Sequence, residues 1–277
     1  MEIIKTFKEF NYNLPFSQLV RNLSRDAFLR FYAVKKNISN STGWIRFPYY
    51  HHVFDDEKKG FERQLNYLKN YGDFISIDQA CELISANEPL SGRYFCISFD
   101  DGYRCCYTNM MEITSRLDIP VIIYLPTDFI SLNENEKEDI EILKANVPGN
   151  PKLITYLNWD QCREMLQFKI SFGSHTKSHA NLINLNADEI RAELSASKKT
   201  IEKELQTSCA HFACPWGRLH LDFDPSITKP IAIDLGYKSF ATTNRGENFK
   251  GDDIFQIKRD HLLAGWGNYQ LKYFFGK

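Results

Sequence analysis

The feature that most constrains the fold is a regular alternation of short apolar runs with longer amphipathic stretches from Trp44 onward. Short apolar runs are typical of buried strands, and apolar residues spaced three and four apart are typical of helices. Strands that alternate with helices favour a parallel sheet covered by helices. The predicted strands are 44–50, 93–99, 120–125, 169–174, 211–215, 238–243 and 257–263, and the predicted helices are 61–71, 77–86, 107–117, 159–168, 187–205 and 227–235.

The chain length of 277 residues is enough for one α/β domain with extensions. Seven strands suit an irregular (β/α) barrel, and a doubly wound open sheet is the structural alternative. We predict that residues 43–277 form this domain and that 131–157 is a long insertion loop inside it. Residues 1–42 predict an N-terminal helical arm with apolar positions at Phe16, Leu19, Val20, Leu23, Phe28 and Leu29.

The formal net charge of −1 gives the chain no general attraction to nucleic acid or to an anionic membrane. The sequence contains no apolar run of the ~18 residues that a membrane span requires. Its first residues lack the apolar core and cleavage site of a signal peptide, and the seven cysteines form no CxxC pair. These features predict a cytoplasmic protein with reduced thiols.

Polar or aromatic side chains follow several of the predicted strands. In parallel α/β folds the catalytic groups collect at the carboxyl ends of the strands, so these side chains are expected at one face. The second strand is followed by Asp100 and Asp101, the fourth by His175 and His179, the fifth by Trp216, and the seventh carries Arg259, Asp260 and His261. For His51, at the end of the first strand, a structural role is favoured over a place in the pocket.

The residues in these loops are suited to metal chemistry. His175 and His179 are four apart, and one helical turn would put both rings on the same side. Two imidazoles and a carboxylate make a common catalytic zinc set, and a second, adjacent carboxylate can remain free as a base. An isolated HxxxH is often incidental, and Asp-Asp-Gly after a strand is often only a turn. From the residues alone, a metal hydrolase and these simpler explanations both remain open.

Several motifs resemble those of the polysaccharide deacetylases, also called NodB-homology or carbohydrate esterase family 4 proteins. Ser98-Phe99-Asp100-Asp101-Gly102 resembles the [ST]-F-D-D-G motif, and Ser174-His175-Thr176-Lys177-Ser178-His179 matches [ST]-H-[ST]-x-x-H. The run Phe212-Ala213-Cys214-Pro215-Trp216-Gly217 is similar to the F-A-Y-P-[YF]-G form of a third motif. The resemblance spans about 44 to 263.

The resemblance implies a distorted (β/α)7 barrel with the N-terminal helical arm as an extension. It also implies that Asp101, His175 and His179 bind one divalent metal ion, usually zinc, and that Asp100 is the general base. A histidine of the last strand would protonate the leaving amine, and Pro215 and Trp216 would form part of the substrate-binding wall. The implied partner is an acetylated sugar or oligosaccharide.

The sequence departs from the family pattern at two positions. Many relatives have an arginine early in the third motif that orients the base, where this chain has His211-Phe212-Ala213. Arg259 on the last strand is the predicted substitute. The late L-x-H motif is not cleanly present, and His261 is the predicted general acid.

The resulting prediction is an enzyme that removes an N-acetyl group from a sugar or glycan. Because no leader is visible, a precursor of a cell-surface polysaccharide is the expected substrate. The alternatives are removal of an O-acetyl group, hydrolysis of another (cyclic) C–N amide bond, and a non-catalytic carbohydrate-binding module on a retained barrel.

Overall fold

The computed structural model describes residues 1–12, 15–38 and 42–276. Its helices are α1 Phe7–Phe10, α2 Phe16–Ala33, α3 Lys58–Leu68, α4 Ile77–Ser85, α5 Met111–Arg116, α6 Lys137–Ala145, α7 Trp159–Met165, α8 Ala187–Leu205, α9 Pro225–Asp234 and α10 Asn268–Phe275. Its strands are β1 Trp44–Arg46, β2 Pro48–Tyr50, β3 Asp73–Phe74, β4 Arg93–Phe95, β5 Ile97–Phe99, β6 Val121–Leu125, β7 Ile170–Ser174, β8 His211–Ala213, β9 Ser239–Ala241 and β10 Asp260–His261. A π-helical turn, Cys106–Met110, leads into α5, and a 3-10 turn, Leu182–Asn184, precedes α8.

The main sheet is parallel and has seven strands in the order β10-β2-β5-β6-β7-β8-β9. A bridge between Ala241, the last residue of β9, and Ile257, just before β10, brings the two edges of this sheet together. The sheet therefore curls into a distorted (β/α) barrel. This confirms the predicted fold class, and the alternative of a doubly wound open sheet is wrong.

The first two predicted strands are each divided into two short strands. The division falls at Phe47, between β1 and β2, and at Cys96, between β4 and β5. The first halves pair with β3 in a small sheet of order β1-β4-β3, and the second halves belong to the barrel. The N–H of Cys96 donates to the carbonyl of Arg46 at 2.9 Å. The two segments therefore remain hydrogen-bonded to each other where they pass from the small sheet into the barrel.

The central strand β6 is buried along its whole length, as expected for a parallel strand covered on both faces. Alternate side chains of a strand point to opposite faces. Ile122 and Tyr124 accordingly pack in one apolar cluster with Ala213 and Ala241, while Ile123 packs in another with residues of the covering helices. The core thus has an inner and an outer layer on either side of the sheet.

The longest helix, α8, begins at a capping box. The side chain of Asn186 accepts hydrogen bonds from the N–H groups of Asp188 and Glu189, both at 3.0 Å. The Glu189 carboxylate accepts the N–H of Asn186 at 2.8 Å, which completes the reciprocal pair. None of the helices in the described part of the chain is both long enough and apolar enough to cross a bilayer.

The stretch 131–157 is not a plain loop, because it contains α6. Its buried Leu143 and Leu153 pack in a cluster with Ile4 from the start of the chain. Ile4 and Leu153 are also joined by a backbone hydrogen bond of 2.8 Å. The polar composition hid this helix because only one of its residues, Leu143, is buried. The first residues of the arm thus complete the core of the insertion.

The helix α2 packs against α10 through the side that carries Leu29. Leu29 on that side is buried, whereas Val20 and Phe28 are exposed. The remaining apolar positions predicted for the arm have side chains outside the described part of the structure; these are Phe16, Leu19 and Leu23. The domain boundary at residues 42 and 43 stays a prediction.

Replacement of Leu153 by alanine tests the packing of the insertion. Leu153 is fully buried, so Leu153→Ala should lower the free energy of unfolding by about 2–5 kcal/mol through lost burial and a residual cavity. Denaturant unfolding measures this change. Leu221→Ala, at a residue that is 62% exposed, is the matched control and should change stability by less than about 0.5 kcal/mol. Equal stability of the two variants would show that the insertion is not packed as described.

Candidate active site

A pocket of about 470 Å³ opens at the carboxyl ends of the barrel strands. It brings together six of the predicted site residues: Asp100, Asp101, His175, His179, Trp216 and His261. It is also lined by residues that the sequence analysis did not assign to it: Tyr49, His51, Arg218, Thr243 and Arg245. Thr243 and Arg245 follow β9, so the strand-end rule applied to the sixth predicted strand could have found them. His51 lies in the pocket, contrary to the structural role expected for it.

The turn after β5 separates the two adjacent carboxylates. Asp101 and Gly102 both have left-handed backbone, with φ of 69° and 66°. A Cβ atom on Gly102 would lie 2.7 Å from Leu125 Cδ2, so this position requires glycine. The carbonyl of Gly102 accepts the N–H of Leu157 at 2.8 Å. The end of the insertion therefore holds the turn that presents both carboxylates.

The carboxylate of Asp100 forms a two-bond ion pair with Arg259, the residue before β10. The Arg259 Nη1 and Nη2 atoms lie 2.7 and 2.8 Å from the two Asp100 oxygens. Arg259 is fully buried, donates from Nε to the carbonyl of Thr242 at 2.9 Å, and stacks 4.3 Å from the centroid of the Tyr49 ring. Its predicted role in orienting Asp100 stays a prediction, but the contact that this role requires is present.

Opposing effects act on the pKa of Asp100. Burial favours the neutral carboxyl group, but the charge and hydrogen bonds of Arg259 outweigh burial, so the pKa lies below its ordinary value. The same pair raises the pKa of Arg259 against the effect of burial. Asp100 is therefore an anion at neutral pH.

The loop that carries the two predicted histidine ligands is not helical, so the expectation of one helical turn was wrong. Thr176 and His179 have left-handed backbone, and the ring centroids of His175 and His179 lie 5.0 Å apart. Glu193 on α8 holds the loop by accepting the N–H groups of Lys177 and Ser178 at 2.9 and 2.8 Å. A folded loop, rather than helical spacing, brings the two rings together.

Hydrogen bonding fixes the orientation of the His175 ring. Its Nδ1 lies 2.7 Å from the carbonyl oxygen of Ala213, which can only accept, so Nδ1 carries the proton. Burial is the main cause that lowers the pKa of His175 to about 4. The neutral ring therefore directs the lone pair of Nε2 into the pocket, as a histidine ligand requires.

Asp101, His175 and His179 form a cluster whose ligand atoms all lie within 4.8 Å of one another. The Asp101 Oδ1 atom lies 3.5 Å from His175 Nε2 and 3.2 Å from His179 Nε2. Oδ1 is buried and has no hydrogen-bond partner among the residues that the structure describes. Ligand atoms that share a tetrahedral zinc ion at about 2.0–2.1 Å are separated by about 3.4 Å, so these three residues fit such an ion. Burial would raise the pKa of Asp101, but the adjacent histidines lower it.

His261 on β10 forms a pair with His51. His51 Nδ1 lies 3.1 Å from His261 Nε2, and the two rings meet edge to face. Burial, followed by the nearby His51 and Arg245, lowers the pKa of His261 to about 3. His261 is thus neutral at physiological pH, and its ring is tied to a second imidazole that also faces the pocket.

Trp216 forms one wall of the pocket. Its ring centroid lies 4.7 Å from that of His179, and the residue is 49% exposed. Its backbone is left-handed, and the following Gly217 N–H bonds to the carbonyl of Pro215 at 2.6 Å. Pro215 thus contributes its carbonyl to the tight turn that presents Trp216, and its side chain is not among those that line the pocket.

The fold and the pocket define the class of protein: a parallel (β/α) barrel whose carboxyl strand ends carry a pocket lined by carboxylates and histidines. Within that class, the family model described as polysaccharide deacetylase matches residues 87–240, more than half of the chain. The chain therefore belongs to the polysaccharide deacetylase family. The match includes Asp100, Asp101, His175 and His179 and ends before Arg259 and His261.

Individual relatives agree with this assignment. The chain is 22% identical over 209 residues to the putative polysaccharide deacetylase YxkH of Bacillus subtilis (strain 168), a match that covers 75% of this chain and 66% of that protein. The deacetylase PplD of Streptococcus pyogenes superposes with a TM-score of 0.66 at 22% identity, over 84% of this chain and 99% of that one. IcaB of Ammonifex degensii gives 0.68 at 17% identity, over 84% and 97%. At these identities the solved structures establish the fold alone.

Replacement of Arg259 by methionine tests the buried ion pair. Arg259→Met leaves the Asp100 charge buried without its partner, and should lower the free energy of unfolding at pH 7 by about 3–5 kcal/mol. Arg116→Met is the control: its pair with Glu62 has side chains that are 53% and 34% exposed, and it should cost less than about 1 kcal/mol.

The loss in Arg259→Met should also depend on pH. In the native protein the lowered pKa of Asp100 stabilises the fold above the ordinary carboxyl pKa, and this stabilisation is lost as pH falls through the lowered value. In the variant, burial raises the pKa instead, so the penalty disappears when Asp100 is protonated. Urea unfolding of chelator-treated protein at pH 7 and about pH 4 should show a smaller difference at the lower pH. A constant difference would contradict the ion-pair account.

Proposed function

We propose that this protein is a metal-dependent hydrolase that removes an N-acetyl group from a sugar or glycan. The observation that carries the proposal is the buried Asp101 oxygen that lacks a hydrogen-bond partner but faces two imidazole nitrogens, beside an ionised Asp100. Leaving such an oxygen unpaired costs about 1–3 kcal/mol in a folded protein, and a bound cation removes that cost. Membership of the polysaccharide deacetylase family supports the reaction class.

Asp101, His175 and His179 would hold the divalent ion, and zinc suits this set of one carboxylate and two imidazoles. When bound, the ion would supply Lewis acidity toward the acetyl carbonyl of the substrate. Ala213 contributes by fixing His175 in the tautomer that leaves Nε2 free. Glu193 contributes by holding the loop that carries His179.

Asp100 is the proposed general base that takes a proton from the attacking water. A base must be ionised before it can accept a proton, and the ion pair with Arg259 keeps Asp100 in that state. The two hydrogen bonds from Arg259 also fix the plane of the carboxylate. Arg259 therefore acts through Asp100 and is a positioning residue.

The pair of His51 and His261 is proposed to deliver a proton to the leaving amine. Because the resting His261 ring is neutral, the proton that it passes on is the one that Asp100 takes from the attacking water. Both rings line the pocket, and their nitrogens lie 3.1 Å apart, so a proton can pass between them along one hydrogen bond. The sequence predicts this role for His261 alone. The geometry supports a role for His51 as well, because the bond to His51 occupies Nε2 of His261.

The exposed ring of Trp216 next to His179 supports a sugar as substrate, because the apolar face of a pyranose packs on an aromatic ring. The relative from Bacillus subtilis is described as a putative polysaccharide deacetylase, and the neighbour from Streptococcus pyogenes is described as a deacetylase. We propose an acetylated precursor of a cell-surface polysaccharide as the substrate class, and a cytoplasmic site of action remains part of this proposal.

Metal content and acetate release test the central proposal. The purified protein should contain about one zinc ion and release acetate from acetylated chitooligosaccharides. Asp100→Asn should keep the metal and lower kcat/KM by about 10²–10⁴-fold, whereas His175→Ala should lose the metal as well as activity. His220→Ala, at an exposed histidine outside the pocket lining, is the control and should match the native protein. A full metal complement without turnover on a broad panel of acetylated sugars would favour the carbohydrate-binding module.

Single and double histidine variants test the proton donor. His51→Ala and His261→Ala should each lower kcat by about 10²–10⁴-fold while zinc content is unchanged. Because the two residues act as one unit, the double variant should be no more than a few-fold slower than either single variant. Full activity of His261→Ala with loss in His51→Ala would assign the donor to His51 alone and refute the prediction for His261.

A further inference from the structure

We propose that α2 docks this protein on a membrane surface that carries anionic headgroups. The helix presents an exposed apolar stripe, which we define as Val20, Phe28, Phe31, Tyr32 and Val34, with basic side chains beside it. None of these residues lines the pocket, so the inference does not rest on the proposed function.

The stripe consists of apolar side chains that are exposed to water. Val20, Phe28 and Phe31 are 45%, 50% and 66% exposed, and their spacing of eight and three residues puts them on one side of the helix. Tyr32 and Val34 extend this surface at the C-terminal end of α2, at 44% and 78% exposure. Exposed apolar side chains that adjoin one another and have basic residues beside them are a candidate interaction surface.

The opposite side of α2 is fixed to the barrel. Leu29 is buried there, and the Asp26 carboxylate accepts hydrogen bonds from Tyr269 and Gln270 on α10. The Arg30 guanidinium lies 4.2 Å from the centroid of the Tyr269 ring. Phe28 borders α10, where its ring meets that of Tyr273 edge to face, and the rest of the stripe points away from the side that α10 holds.

The basic residues around the stripe indicate that its partner carries negative charge. Residues 15–38 contain five basic residues and one acidic residue, in a chain whose net charge is −1. Arg21, Arg25 and Lys35 are exposed, and the side chain of Arg30 is 65% exposed. Anionic headgroups attract such a cluster, although the chain as a whole has no net positive charge to attract them. The expectation from net charge alone is thus misleading for this one face.

The combination of an apolar stripe and charged flanks is that of a helix lying in the membrane interface. With Arg21, Arg25, Asp26 and Arg30 among its 18 residues, α2 is too polar to insert across a bilayer. A second copy of the chain would bring the same basic residues against one another, which is unfavourable. A dissolved polyanion would engage the arginines but leave Val20 and Val34 in water.

Vesicle binding by the full chain tests the proposal. The protein should co-sediment with vesicles of phosphatidylglycerol and phosphatidylcholine at least about tenfold more strongly than with phosphatidylcholine alone, and high salt should weaken this binding. Phe28→Ser with Phe31→Ser should reduce the affinity at least about tenfold by removing inserted apolar area. Arg21→Gln with Arg25→Gln keeps every apolar side chain and should remove the preference for the anionic vesicles.

Matched controls lie elsewhere on the surface. Phe168→Ser replaces another exposed aromatic residue, at 43% exposure, and Lys199→Gln with Lys203→Gln removes two exposed lysines of α8. Both should bind vesicles like the native protein. The α2 variants should retain native deacetylase activity on a water-soluble oligosaccharide, so failure of the proposed function would leave the vesicle result unaffected.

Three outcomes would overturn the proposal. The first is no binding to either vesicle, and the second is equal loss of binding in the control variants. The third is a native protein that does not bind vesicles but forms a dimer in analytical ultracentrifugation, with the dimer lost in Phe28→Ser with Phe31→Ser. That result would assign α2 to an interface between copies of the chain.

Discussion

A wholly buried guanidinium needs a partner of opposite charge whose acceptors fit its planar set of donors. The two carboxylate oxygens of Asp100 meet both requirements for Arg259. The arginine comes from the segment before β10 and the carboxylate from the end of β5, with β2 between these two strands. Tyr49 of β2 stacks on the guanidinium, and Thr242, just after β9, accepts its Nε–H. The pair therefore forms only when the barrel closes in this register, so the folding of the barrel and the placing of the proposed base are one event.

The same strand ends use unfavourable backbone to present their side chains. Asp101, Thr176, His179 and Trp216 are four of the eight non-glycine residues with left-handed backbone in the described part of the chain. Left-handed conformations are costly for such residues and persist only where the surrounding structure enforces them. Here the enforcing contacts come from elements outside the barrel strands, such as the bonds from Glu193 to the histidine loop. Contacts with the helices around the barrel thus hold the pocket loops in backbone conformations that are unfavourable by themselves.

The barrel and most of the pocket could be predicted because a parallel strand has a simple apolar pattern and its carboxyl end a fixed place. What could not be predicted depends on contacts between distant segments. The helix α6 was missed because it buries only Leu143, and the loop around His179 was misread because Glu193 is far away in sequence. The pairing of His51 with His261 joins the first and last strands of the domain, and no local pattern encodes it.

The departures from the family pattern bear on whether this pocket catalyses a reaction or serves only to bind carbohydrate. A binding module has no need for a buried carboxylate oxygen without a hydrogen-bond partner, which costs stability unless a cation binds it. The guanidinium that relatives place in the third motif is supplied here from the last strand, by Arg259, and it reaches the carboxylate of the proposed base with two hydrogen bonds. Loss of either residue alone would leave the other as a buried charge without its partner, so the pair also contributes to stability. An arginine that keeps Asp100 ionised from a different sequence position supports the proposed role of Asp100 as the base.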